Sequence, residues 1–72
     1  MNIDYIRKNI SYYLNKKRHF VYYGCRGQIE DFYGEISRIY SRVFTISTVD
    51  GYTKCFSFSD FAIKNIKIKS NN

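Results

Sequence analysis

The hydrophobic pattern of this chain changes its period once, between residues 14 and 19, and that change restricts the folds open to it. Before the change, four apolar side chains are spaced by three, four and four residues and share one helix face: Ile3, Ile6, Ile10 and Leu14. Asn2 is suited to cap the start of such a helix and Asn15 to end it. We therefore predict a helix over residues 3–15. A helix of this length is marginal alone in water, so its apolar face must pack on the rest of the chain or on a second copy.

After residue 19 the pattern alternates with period two, which is typical of β-strands. Five segments fit: residues 19–23, 29–40, 43–49, 52–58 and 66–69. Residues 24–27 are predicted to separate the first two strands. Asp50-Gly51 is a strong hairpin signal, and residues 59–61 indicate a short helical turn. Gly34 interrupts the second strand, as expected where a strand bends sharply or another backbone approaches closely.

Alternation also predicts which side chains share a face. In the second strand, Phe32, Ile36 and Tyr40 are expected on one face, with Tyr33 and Ile39 on the other. In the third strand Phe44 and Ile46 are expected to share a face, and in the fourth strand Phe56 and Phe58 are expected to do so.

The length of 72 residues then selects the architecture. Five strands in so few residues cannot form a two-sheet sandwich of normal size, but they can curl into a small barrel. We predict a mainly β fold and one domain over residues 1–72: an N-terminal helix (3–15), a five-stranded SH3-like or Sm-like small open barrel (19–69) and a polar tail (70–72).

Composition restricts the cellular compartment and the cofactors expected for this chain. No run approaches 18 apolar residues, and the N-terminal segment lacks the apolar region of a signal peptide, so we expect a cytoplasmic protein without membrane contact. In that compartment Cys25 and Cys55 are expected to be reduced and buried as small hydrophobes, with a disulfide as the alternative. His19 is the single histidine, so neither a metal site nor a cofactor is expected.

The search for catalytic residues returns little, and we expect a protein that is not an enzyme. Five of the six acidic residues fall in turns, at helix starts or side by side on a strand, which suits solvated or turn-forming roles. A Cys–His pair of His19 with Cys25 or Cys55 is compatible with the spacing, but the sequence supplies no orienting group or oxyanion hole.

The basic residues are more informative, because the excess behind the net charge of +6 is uneven. It is concentrated after the helix (Lys16, Lys17, Arg18) and at the last strand (Lys64, Lys67, Lys69). If these segments lie together they form one basic flank that attracts phosphate backbones. The alternative is that lysines on an edge strand prevent edge-to-edge aggregation.

Tyrosines beside these cations suggest a stacking role with single-stranded nucleic acid. Tyr22 and Tyr23 join the six basic residues as candidate nucleic-acid- or partner-binding residues, and three further tyrosines are also candidates for stacking: Tyr12, Tyr13 and Tyr33. For each of them, burial of the ring in a small core is the competing interpretation.

Residues 3–68 contain several motifs in an order that matches a known family pattern. After the isoleucine helix and its basic exit, residues 34–44 (GEISRIYSRVF) match a G-x-I/L-x-x-x-Y-P-x-V-F pattern, with Ser41 in place of the proline. Residues 56–60 (FSFSD) match F/Y-S-Y/F-x-D. In these features the chain resembles the Veg family of small proteins from Gram-positive bacteria. The family's second basic cluster is reduced here to Arg26.

The resemblance implies a small SH3-like barrel and a non-enzymatic regulatory role in transcriptional control linked to biofilm formation. It does not specify whether the direct target is DNA, RNA or a regulatory protein. The residues themselves leave a second function open: a protein-interaction or self-association module, such as a homodimer, that uses the Ile3/Ile6/Ile10 face or an exposed strand edge.

Overall fold

The computed structural model describes residues 2–69, so the predicted polar tail lies outside the described residues. The elements, in chain order, are α1 (Ile3–Tyr12), β1 (Arg18–Tyr23), a 3₁₀ turn (Cys25–Gly27), β2 (Ile29–Ile39), β3 (Val43–Thr48), β4 (Thr53–Ser57), α2 (Phe58–Ala62) and β5 (Ile66–Lys69). All strand pairs are antiparallel and form one sheet in the order β4-β3-β2-β1-β5. The fold is mainly β, a helix followed by a small open barrel-like sheet, and the predicted fold class is confirmed.

Helix α1 begins where predicted and ends earlier. The side-chain oxygen of Asn2 accepts a hydrogen bond from the backbone N–H of Tyr5 at 3.1 Å, which caps the first turn. The helix stops at Tyr12, and Leu14, predicted on the buried face, is 38% exposed. That part of the prediction is wrong because Leu14 has left the helix and forms an isolated β-bridge with Ile36 of β2.

The apolar face of α1 closes the core of its own barrel. Ile6 and Ile10 are buried in one cluster with side chains from the strands and α2: Phe20, Ile36, Phe44, Ile46, Phe56, Phe58 and Ile66. A sheet this short can bury its apolar face only if something covers it, and α1 does so. The face is thus used within the chain and is not free for a partner.

A β-bulge in β2 changes the predicted faces of that strand. Ile36 pairs with Ile46, but the next pair joins Arg38 to Thr45, so Ser37 is an extra residue. The insertion reverses the side-chain alternation that follows. Ile39 therefore packs against the core and Tyr40 is 50% exposed, the opposite of the prediction.

Gly34 is confirmed as a point of close backbone approach. A Cβ atom built at this position would overlap the carbonyl oxygen of Ser47 and lie 3.0 Å from the Cα of Thr48, both in β3. The predicted turns are also present: Gly51 has a φ of 94° in the β3–β4 hairpin, and residues 58–62 form α2.

The prediction of buried cysteines is wrong. Cys25 and Cys55 are free thiols, as expected, but both are exposed. Cys25 lies in the 3₁₀ turn. Cys55 lies on β4, opposite Thr45 of β3 and next to the buried Phe56, so its side chain points away from the core.

A candidate nucleic-acid interface

The pairing of β1 with β5 brings the two basic segments of the sequence together. His19 lies opposite Lys69 and Val21 opposite Lys67, so Arg18, at the start of β1, lies beside the end of β5. We call the resulting surface the basic flank and define it by six residues: Lys16, Lys17, Arg18, Lys64, Lys67 and Lys69. The condition on which the sequence argument depended, proximity of the helix exit to the last strand, is met.

The backbone holds the first three cations in place. Asn15 has a φ of 61°, a left-handed conformation that asparagine tolerates better than most residues. Its N–H donates to the carbonyl oxygen of Ile36 at 2.9 Å, and the N–H of Lys16 donates to that of Tyr13 at 3.1 Å. The turn from α1 into β1 is therefore tied to β2, and residues 16–18 leave it in a fixed direction.

Lys64 is held at the other end of the flank by α2. Ser57 and Asp60 form a capping box, with Asp60 N–H donating to Ser57 Oγ at 3.0 Å and Ser57 N–H to Asp60 Oδ2 at 3.3 Å. Lys64 follows α2 with a φ of 66°, and its N–H donates to the carbonyl oxygen of Phe61 at 3.2 Å. A lysine here is unusual, because a helix end in this conformation favours glycine or asparagine.

Three cations of the flank lie over tyrosine rings. The Lys16 Nζ is 4.0 Å from the Tyr12 ring centre, the Arg18 Cζ is 6.0 Å from that of Tyr13, and the Lys67 Nζ is 5.2 Å from that of Tyr23. Such pairs are attractive and leave the charge available to an anion. Sequence reasoning named Tyr12 and Tyr13 among the candidate tyrosines but did not include them in the predicted site.

The six flank cations form no ion pair within residues 2–69. Three acidic groups contact basic side chains that are not among the six: Asp4 with Arg7 at 4.0 Å, Glu30 with Lys54 at 3.5 Å, and Asp31 with His19 at 3.6 Å. Two carboxylates lie near the flank without pairing with its cations: Asp31, which contacts His19 opposite Lys69, and Glu35, which lines a separate depression with Lys17. The flank therefore has an excess of cations over nearby carboxylates.

The two predicted stacking tyrosines point in opposite directions. Tyr23 is half-buried beneath Lys67 and lies next to the flank. Tyr22 packs on the core side, with its ring centre 5.2 Å from that of Phe56. Neighbouring residues of a strand face opposite sides, so one of the pair had to be internal. We do not include Tyr22 in the candidate site.

A depression lies at the free edge of β5, between α1 and α2. It has a volume of about 380 Å³ and is lined by Tyr13, Phe61, Lys64, Ile66, Lys67 and Ile68. The floor is apolar and the two lysines are the charged groups of the lining. We call this depression the β5 cleft.

The structure does not assemble the Cys–His pair that the sequence allowed. His19 lies near the start of β1 and Cys25 beyond its end, so the four residues to Tyr23 already separate them by roughly 13 Å. Cys55 is on β4, with β3 and β2 between it and β1. Among residues 2–69 there is also no group of three or more His, Cys, Asp or Glu side chains placed to hold a metal ion.

Comparisons with known proteins return no match: no protein-family model fits the chain, and no curated protein matches it significantly. The Veg resemblance therefore stays a prediction. In the part of the chain that the structure describes, neither helix has the length and apolar character needed to cross a membrane.

Proposed function

We propose that this protein is a small non-catalytic regulator that binds nucleic acid through the basic flank. One observation carries the proposal: β1–β5 pairing joins two basic segments that are far apart in the sequence, and none of their six cations forms an ion pair within residues 2–69. Cations arranged in this way bind phosphates by releasing counterions, without regard to base sequence. Following the Veg resemblance, we place this activity in the cytoplasm and in the control of gene expression linked to biofilm formation.

The direct test is fluorescence anisotropy with labelled single-stranded RNA, single-stranded DNA and duplex DNA at 50 and 200 mM salt. If four to six flank cations each neutralise a phosphate, the log–log salt slope for a single strand is about −3 to −4, a loss of roughly 50- to 300-fold in affinity over this range. The absence of binding at 50 mM salt would overturn the proposal. The charge would then serve to protect the edge strand.

Lys64→Asn is expected to change stability and binding in opposite directions. Asparagine relieves the left-handed backbone strain by about 1 kcal/mol, which raises Tm by roughly 4–8 °C in a domain of this size. Loss of the charge weakens binding and reduces the salt slope by about 0.7 for a single strand. Calorimetry and anisotropy on the same samples measure the two effects.

Arg26→Asn is the matched control for this variant. Arg26 has a φ of 60° and is exposed in the turn between β1 and β2, outside the flank. It should give a similar rise in Tm with no change in slope. An unchanged slope for Lys64→Asn as well would remove Lys64 from the binding surface.

A second candidate function is a protein-interaction or self-association module. The observation that favours it is the sheet order, which leaves β4 and β5 as edge strands among the described residues. The Ile3/Ile6/Ile10 face no longer supports this function, because Ile6 and Ile10 are in the core. Mass determination across a concentration series tests the edge: a strict monomer at all concentrations counts against self-association.

A further inference from the structure

The β5 cleft has the composition of a stacking site rather than of a simple basic surface. Two aromatic side chains from different elements, Tyr13 after α1 and Phe61 in α2, line it together with two isoleucines of β5. All four pack partly or fully against the core, so their positions are fixed by the fold. A planar apolar group entering the cleft would meet a preorganised surface.

The charges around the cleft suit a ligand that has an apolar part and anionic groups on its flanks. Lys64 and Lys67 belong to its lining, and the Arg18 guanidinium lies 6.0 Å from the Tyr13 ring centre. No acidic side chain lines the cleft. Within a nucleic-acid strand each base lies between two phosphates, which is this distribution of apolar surface and charge.

The volume restricts the ligand further. About 380 Å³ is near the lower end of small-molecule sites, which begin at roughly 300 Å³. The cleft therefore holds one base and its sugar. In a duplex every base is stacked and paired, and cannot enter such a cleft unless it is flipped out at a cost.

We propose that the β5 cleft binds one unpaired nucleotide of a single-stranded nucleic acid, with the base against Tyr13 and Phe61 and the flanking phosphates held by Lys64, Lys67 and Arg18. This inference rests on the proposed function and adds a preference for single strands over duplexes. It also separates the flank into a stacking part around the cleft and a purely electrostatic part at Lys16, Lys17 and Lys69.

The test compares an oligonucleotide with an abasic oligomer of the same length and phosphate number, using the unaltered protein. Stacking of one base predicts binding about 5- to 150-fold tighter for the strand that carries bases. A duplex of the same sequence gains nothing from its paired bases, so its affinity should fall more steeply with salt than that of the base-carrying strand. Equal affinity for the base-containing and abasic strands would overturn the cleft assignment and leave the proposed function standing. No binding to either would overturn both.

Two variants then locate the stacking. Tyr13→Leu and Phe61→Leu keep apolar side chains in the cleft but remove an aromatic face, and each should reduce the preference for bases while leaving abasic binding unchanged. Thermal melts identify any variant that is not folded. Tyr52→Leu is the control, because Tyr52 is 68% exposed in the β3–β4 hairpin. If both cleft variants retain the full preference, the nucleotide binds elsewhere.

Discussion

Gly34→Ala should lower Tm by more than about 10 °C, one of the two largest effects expected for this protein. The new methyl group would overlap the Ser47 carbonyl oxygen and press on the Cα of Thr48. Both atoms are backbone atoms of β3, so the strand itself must move. Overpacking typically costs about 1–3 kcal/mol, and the upper end, expected where a backbone must move, corresponds to roughly 12–24 °C in a domain of this size. A 72-residue chain has only about 4–11 kcal/mol of stability in total.

Gly24→Ala is the matched control for this substitution. Gly24 has a φ of −84°, which any residue adopts, and the nearest atom to a new Cβ is a ring carbon of Tyr22 at 3.3 Å. A side chain can shift where a backbone cannot, so Tm should change by only a few degrees. Equal melting of the two variants in calorimetry would show that β2 and β3 are not held as closely at Gly34 as the structure indicates.

The elements of this fold were predictable because each depends on short-range chemistry. The spacing of Ile3, Ile6 and Ile10 specifies a helix face, and Asp50-Gly51 specifies a hairpin wherever the strands lie. The sequence shows that Gly34 interrupts a strand, but it does not show which neighbouring group requires a glycine there. The neighbouring backbone belongs to residues 47–48, and no local pattern reports that contact.

The bulge in β2 was not predictable from alternation, because alternation assumes an unbroken pleat. Ser37 is inserted opposite Thr45, and their hydroxyl groups are hydrogen-bonded at 2.9 Å. Small polar residues occur at many unbulged positions, so the sequence contains no distinctive signal. As a result Ile39 and Tyr40 exchanged their predicted environments.

The candidate site divides in a similar way. Its six cations could be selected from the sequence by charge clustering, but their meeting depends on the β1–β5 register, which joins residues about 50 positions apart. The β5 cleft is harder still to predict from the sequence, since its walls come from the ends of two helices and an edge strand. Tyr13 and Phe61 acquire a shared role only in the folded chain.

Reversing the three charges after the helix is expected to abolish nucleic-acid binding at moderate salt. The variant Lys16→Glu/Lys17→Glu/Arg18→Glu removes three cations of the flank and adds three repulsive groups. We expect affinity for a single strand to fall at least about 100-fold at 50 mM salt, and the log–log slope to become less steep by about 2. The three side chains lie outside the buried core, so the protein should stay folded. Unchanged affinity would show that the helix exit does not face the ligand.

The same reversal at Lys64, Lys67 and Lys69 tests whether the basic flank is one surface. β1–β5 pairing places Lys69 beside Arg18, with Lys67 and then Lys64 further along the same edge, and each set holds three cations, so either triple variant should reduce affinity and slope by similar amounts. The control reverses Lys8, Arg38 and Arg42, exposed or partly exposed positions outside the flank, with the same change in net charge. That control should retain most of the affinity, because screening at 50 mM salt limits the reach of a charge to about 14 Å. A loss confined to one triple would reduce the interface to that segment, and an equal loss in the control would mean that net charge, rather than the arrangement of the flank, governs binding.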